Sequence, residues 1–364
     1  MAWIDNLFKI MAEQKASDLH VTSEHVPMIR AAGDMVPLPG APKLNKDQLQ
    51  QILFEICPER NKKQWEETND TDFAYALEGV GRFRCNVFKA LGRKSAAIRR
   101  VKPKIPTYEE LNLPTQIRKC AEFEQGLVLV GGITGSGKST SLAAVLDDIN
   151  HRRRCHIVTI EDPVEYVFAD DKAVINQREV FTDVASFDDA LRSCVREDPD
   201  VMLLGEMRDG PTFETALTAA ETGHLVFGTI HASGAAQTLG RIMDLFPTEK
   251  HPQIRTSLAF NLRCILNQKL LKGMSKEVPR VPALESMYMT PIIRKCILDR
   301  EDQRIAEAIR QDRDNDCENY NRVLERLLKA KLISMDTALK AAPNAEELRM
   351  AMSGITISEQ GGIV

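Results

Sequence analysis

Residues 132–140 read Gly-Ile-Thr-Gly-Ser-Gly-Lys-Ser-Thr, a spacing that can gather several backbone N–H groups around a phosphate. The apolar run 126–131 before it reads as a strand, and the helix-prone stretch 142–146 after it aims a positive dipole end at the same charge. In that context Gly132, Thr134, Gly135, Ser136 and Gly137 form the cradle, with Lys138, Ser139 and Thr140 at the start of the helix. Lys138 pairs with the β- and γ-phosphates and Ser139 holds Mg²⁺. A Gly/Ser-rich turn that matched by chance would not need a strand and a helix on these sides. The segment predicts binding of a nucleoside triphosphate.

Phosphoryl transfer also needs a carboxylate at a neighbouring strand end, to orient the metal's water shell or the attacking water. The apolar run 201–204 ends in Gly205 and Glu206 and supplies one. The run 156–160 ends in Glu161, Asp162 and Glu165, any of which could align water or merely cap an acidic loop. His224 and His231 bracket the buried run 225–230, so at least one is a candidate sensor of the γ-phosphate or of a neighbouring subunit. A structural role is the alternative for both.

Strands alternating with helices from about residue 111 predict an α/β domain with a predominantly parallel sheet, buried on both faces. Before it, Trp3, Ile4, Leu7, Ile10 and Met11 recur at helical spacing, which predicts an amphipathic first helix. Short β-type runs near 19–22, 27–30, 73–77, 82–88 and 96–101, with a helix near 46–56, suggest a smaller α+β domain. Residues 102–107, with Pro103 and Pro106, read as a linker. Helical segments near 291–298, 303–309, 320–327 and 344–352 follow the last apolar run, and Glu359-Gln-Gly-Gly-Ile-Val reads as a loose tail. The expected domains are 1–104, 105–290 and 291–364.

The 364 residues are 43% apolar and 27% charged, which suits a soluble globular protein. A formal charge of −4 gives no overall basic field, and this argues against nucleic acid as the main partner. Eight cysteines are scattered without a Cys-x-x-Cys pair, so reduced cytosolic thiols fit better than a metal cluster. The first residues are too charged for a secretory signal and no long apolar run occurs, so any membrane association is expected through a partner.

The glycine loop, the run Thr159-Ile-Glu-Asp-Pro-Val-Glu-Tyr, the strand ending Leu204-Gly-Glu-Met-Arg-Asp and the run Thr222-Gly-His-Leu-Val-Phe-Gly-Thr-Ile-His resemble the Walker A, Asp box, Walker B and His box of secretion ATPases. Within that superfamily the chain resembles the type IV pilus retraction ATPases of twitching motility, the PilT/PilU family. Ser17-Asp-Leu-His-Val-Thr, Gly81-Arg-Phe-Arg-Cys-Asn, Val174-Ile-Asn-Gln-Arg-Glu-Val and Arg280-Val-Pro-Ala-Leu-Glu extend the resemblance through most of the chain.

The resemblance implies a RecA-like P-loop domain preceded by a PAS-like α+β domain and followed by a helical region. It implies a cytoplasmic homohexamer at the inner-membrane pilus base, working on a platform protein with ATP and Mg²⁺, in company with a paralogous ATPase. It makes Arg84 and Arg99 the arginines that one subunit lends to its neighbour's ATP, a task suited to a planar guanidinium. It also points to Glu161 as the water-activating base and Glu206 as the residue that holds the Mg²⁺ site. The chain departs from the pattern at Ile133, where proline is usual, and in Ile292-Ile-Arg-Lys-Cys-Ile-Leu-Asp, which lacks the second arginine of Ala-Ile-Arg-Asn-Leu-Ile-Arg-Glu. The longer N-terminal region and four-cysteine zinc motif of extension and secretion ATPases are absent, which favours retraction.

A motor is thus expected, with an accessory retraction ATPase or a nucleotide-regulated scaffold as alternatives. Retention of Lys138, Glu161 and Glu206 argues against a pure scaffold. A DNA translocase is the remaining option, through Arg152-Arg-Arg154, although a basic run at a helix end also suits the helix dipole.

Overall fold

The computed structural model describes residues 3–31, 33–38, 40–102, 104–312 and 316–353, so the expected tail and Pro103 of the expected linker lie outside the described residues. The chain divides into two compact units, Met1–Lys104 with Glu165–Val167, and Ile105–Val164 with Phe168–Val364.

The first unit contains α1 (Trp3–Glu13), β1 (Asp18–Thr22), β2 (Met28–Ala31), β3 (Asp34–Pro37), α2 (Lys46–Ile56), α3 (Glu59–Thr68), β4 (Asp70–Leu77), β5 (Gly81–Ala90) and β6 (Arg93–Arg100). Its strands form one antiparallel sheet in the order β3-β2-β1-β6-β5-β4. The helical spacing of α1 places Ile4, Leu7, Phe8 and Met11 in the core, where Phe8 stacks on Phe83 at 4.2 Å. Asn45 and Gln48 form a reciprocal capping box that starts α2.

The second unit contains β7 (Gly126–Gly131), α4 (Lys138–Arg152), β8 (His156–Glu161), β9 (Val174–Glu179), α5 (Phe187–Cys194), β10 (Val201–Leu204), α6 (Gly210–Glu221), β11 (Leu225–Ile230), α7 (Ala235–Met243), α8 (His251–Asn261), β12 (Leu262–Lys272) and β13 (Arg280–Tyr288). Helices α9 (Pro291–Leu298), α10 (Ile305–Gln311), α11 (Tyr320–Lys329), α12 (Met335–Ala341) and α13 (Ala345–Met352) follow. The sheet order is β13-β12-β7-β11-β10-β8-β9, parallel throughout except for the β12/β13 pair. The α/β class with a mixed, mostly parallel sheet follows directly. Every residue of β7, β10 and β11 is buried, as central strands covered on both faces require.

This topology places the C-terminal ends of β7, β11, β10 and β8 side by side. Ile230 is in register with Gly131, Gly228 with Leu204, and Leu204 with Ile160. The residues that follow these strands therefore converge on one edge of the sheet, where open α/β sheets bind ligands.

Candidate active site

The turn between β7 and α4 depends on backbone that only glycine adopts easily. Gly132 has φ +145°, and a Cβ there would sit 2.5 Å from the Gln268 carbonyl oxygen. Gly137 has φ +90°, and a Cβ there would sit 2.8 Å from Gln268 Nε2. Gly137 gives α4 no side-chain cap, so the first N–H groups of this 15-residue helix are left to the loop that faces them. Lys138 Nζ donates to the carbonyls of Gly132 and Ile133 at 2.8 and 3.2 Å. The hydroxyl of Ser136 is buried without a hydrogen-bond partner. An ammonium lying across the loop, an orphaned buried hydroxyl and uncapped helix amides together fit an anion such as a nucleotide phosphate.

One residue beyond Gly205, one carboxylate oxygen of Glu206 lies 2.8 Å from His231 Nε2 and the other accepts from Arg208 at 2.7 Å. Partial burial works to raise this carboxyl, but the Arg208 hydrogen bond and charge, then the charges of His231 and Lys138, outweigh it and hold the group below its usual range. Thr229 donates its hydroxyl to the Gly205 carbonyl and accepts the Met207 N–H on its own carbonyl at 3.0 Å, so β11 grips the Glu206 turn from both sides. Glu161, 8% exposed at the end of β8, accepts from Thr159 at 2.7 Å and from Gln177 at 3.2 Å on the same oxygen. Gly205 N–H donates to the carbonyl of Ile160 at 2.8 Å, which sets Glu161 beside the Glu206 turn.

The edge therefore brings together Lys138, Glu206 and His231, with Glu161 flanking them. Ser139 and Thr140 lie half-buried in the first turn of α4, while Thr134 and Gly135 are exposed on the loop. Asp162 and Glu165 do not join Glu161 in burial; the buried acid near the β8 loop is Glu179, which accepts the Val164 N–H at 3.0 Å and fastens the chain after β8.

His224, the other histidine that brackets β11, is not brought to this edge. It precedes β11, whereas the glycine loop follows β7, and the two strands run parallel, so His224 lies about a strand length away, roughly 20 Å. Its Nδ1–H donates to the Ala219 carbonyl at 2.9 Å, which closes the end of α6. A histidine at each end of a strand cannot serve one site when the strand itself separates them.

In the first unit, Arg84 and Arg99 are register partners across β5 and β6, so their side chains share a face. Arg99 donates to Asp18 at 2.9 Å, and Arg84 lies 3.9 Å from Asp72. Both guanidiniums are well exposed.

Arg208 and Gln268 were not legible as site residues from sequence. Gln268 donates to the Ser136 carbonyl and accepts from the Ser141 hydroxyl, both at 2.8 Å. Its only signal is the polar pair Asn267-Gln268 inside an apolar strand. Arg208 has the ordinary look of a charged residue in a turn.

A glycine cradle at the end of a buried parallel strand, beside a carboxylate–histidine pair, defines a P-loop nucleotide-binding protein. The chain belongs to the family described as Type II/IV secretion system protein, which matches residues 2–341. It is similar to the type IV pilus retraction ATPase PilT of Pseudomonas aeruginosa, with 41% identity over 93% of this chain and 98% of that protein. The type IV pilus ATPase PilU of the same organism is 33% identical over 95% of this chain and 90% of its own length. The crystal structure of the pilus retraction motor PilT with bound ADP superposes with a TM-score of 0.88 at 40% identity, covering 96% of this chain and 99% of that one. No helix among the described residues is long and apolar enough to cross a membrane.

Proposed function

We propose that this chain is an ATPase motor that powers type IV pilus retraction. The observation that carries the reading is the Glu206–His231 contact beside Lys138, in a chain 41% identical to a pilus retraction ATPase along nearly its whole length. In this reading the cradle residues bind ATP, with Lys138 on the phosphates. Ser139 and Glu206 would hold Mg²⁺, which when bound would neutralise phosphate charge. Glu161 orients and deprotonates the attacking water, and His231, beside Glu206, senses the γ-phosphate. Arg84 and Arg99 come from a neighbouring subunit of a homohexamer and spread charge over the phosphate oxygens.

Mechanical work then arises from closure of a PAS-like N-terminal domain, residues 1–104, against a RecA-like domain, residues 105–290. The helices α9 to α13 form the C-terminal region beside the latter, within the same compact unit. The load is an inner-membrane platform protein, and the motor is peripheral to the membrane on the cytoplasmic side.

An accessory retraction ATPase is the second reading. It is favoured by Leu298 in α9, at the position where retraction ATPases carry a second arginine, and opposed by the lower identity to PilU. Nucleic acid is not an expected partner. Arg152 pairs with Asp148 at 2.6 Å and Arg153 donates to the Phe123 carbonyl at 2.8 Å, so two of the run's three arginines serve this chain's own structure.

Phosphate release by the purified chain, against a Glu206→Gln variant, tests the motor. Equal and negligible rates would leave only a scaffold. Gene deletion tests the load: surplus, non-retracting pili are expected, and loss of pili would refute retraction.

A further inference from the structure

Asn267 and Gln268 are adjacent on β12, so their side chains leave opposite faces of the sheet. The partners bear this out. Gln268 reaches the α4 side, where it ties the Ser136 carbonyl of the glycine loop to Ser141. Asn267 reaches the other side, where its amide donates to the Ala232 carbonyl at 3.1 Å, one residue past His231. Asn267 lies in register with Gly131 of β7 and with Glu285 of β13. Glu285 in turn accepts the Ala235 N–H at 2.6 Å, at the start of α7. The hydroxyl of Tyr320 on α11 is 2.9 Å from the Asn267 carbonyl and 2.8 Å from its amide oxygen. Lys269, on the same face as Asn267, lies over the Tyr320 ring at 4.1 Å and donates to the Ala341 carbonyl at 3.0 Å.

A run of polar side chains inside a buried strand is costly unless each is paired. Here the pairs go to the two loops that make the site and to the helices beyond. We propose that Asn267 and Gln268 are positioning residues, one for each half of the site: Gln268 sets the phosphate loop, and Asn267, braced by Tyr320, sets the His231 segment. Neither touches the reacting atoms. A shift of β12 or of α11 then moves the cradle and the His231–Glu206 pair together, which gives the C-terminal helices a direct mechanical connection to the nucleotide. The proposal rests on the reading of this edge as an ATP site.

The test compares Gln268→Met and Asn267→Leu, which remove the amide hydrogen bonds, by amide exchange of the nucleotide-free protein and by separate binding and turnover measurements. Gln268→Met should loosen residues 132–137 and raise the Kd for a fluorescent ATP analogue about tenfold, the effect of losing two hydrogen bonds at about 0.7 kcal/mol each. Asn267→Leu should instead speed exchange at residues 231–236 and lower kcat about tenfold, with Kd changed by less than about threefold. Tyr320→Phe removes one hydroxyl and should give a weaker copy of the Asn267→Leu pattern, which keeps the test available if that variant does not fold. Equal loosening of both segments in both variants, or no change in either, overturns the proposal. A wild-type chain that binds no nucleotide overturns the ATP reading instead, and the exchange patterns still decide the positions.

Discussion

His231 Nε2 lies 2.8 Å from a carboxylate oxygen of Glu206, across the gap between the strand ends of β11 and β10. The other carboxylate oxygen is taken by Arg208. Glu206 is therefore oriented from both sides, and its depressed carboxyl range keeps it anionic well into mildly acid solution.

Glu206→Gln should lower ATP turnover by about a hundredfold to a thousandfold while a fluorescent nucleotide still binds, because the amide keeps the size but not the charge that a metal-linked water needs. Stopped-flow phosphate release alongside equilibrium binding checks this. Equal losses in binding and turnover would mean that Glu206 holds the loop and not the chemistry.

Lys138→Ala removes the ammonium that bridges the Gly132 and Ile133 carbonyls and one of the charges that depress Glu206. Nucleotide affinity should fall by at least about tenfold, with turnover below detection, since charge-assisted contacts to phosphate are each worth about 1.5–3 kcal/mol. Calorimetric titration with ADP checks it. Unchanged affinity would move the phosphate away from this loop.

Arg84→Ala and Arg99→Ala should each cut kcat by about tenfold or more. Arg84→Ala should leave the melting temperature nearly unchanged, because the Arg84–Asp72 pair is exposed and surface ion pairs add little stability. Arg99→Ala also strips a hydrogen bond from the mostly buried Asp18 carboxylate and should lower it. Subunits carrying Arg84→Ala mixed with subunits carrying Lys138→Ala should recover part of the lost activity, since each supplies what its neighbour lacks. Absence of recovery at every mixing ratio counts against arginines acting between subunits.

Burial pushes the Glu285 carboxyl up, against the pull of the Ala235 and Tyr320 N–H groups and of Lys269. The unfolded chain ionises this group at a lower pH than the folded chain does. Its contribution therefore turns against folding as pH rises from about 4.3 through the raised folded value. Glu285→Gln lacks that dependence, so its stability relative to the wild type should improve across this window and then level off. Denaturant titrations at about pH 5 and about pH 8 measure the difference. A gap independent of pH sinks the assignment.

What could be read from the chain alone was set by how many constraints act on each residue. The turn at Gly132 and Gly137 is dictated by close approach and positive φ, and strands β7, β10 and β11 are wholly buried, so glycine spacing and apolar runs exposed them. Glu206 and His231 could be found because each directly follows such a strand. Strand β9 could not be found from its pattern: it is an edge strand, Val-Ile-Asn-Gln-Arg-Glu, with little apolar bias. Strand β12 was hidden by Asn267, Gln268 and Lys269, the residues that serve the site, and β13 by a proline, a glutamate and a serine. In the first unit β3 is exposed at every position, and α3 buries only Trp65, so neither carries a periodic signal. The position of His224 was legible too: it precedes β11, and in a parallel sheet the residues before a strand lie at the opposite edge from those that follow it.

The face shared by Arg84 and Arg99 has a further consequence. Two like charges set directly opposite each other on a sheet repel, and here each has a carboxylate nearby, Asp72 and Asp18. Asp18 is shared with Arg30, 3.9 Å away, so three guanidiniums accompany two carboxylates on this stretch of sheet. For an anion to pair with Arg84 or Arg99, as proposed above, it would have to take the place of a carboxylate already beside that guanidinium. The surface would then work as a latch that must be opened before it closes on a new partner.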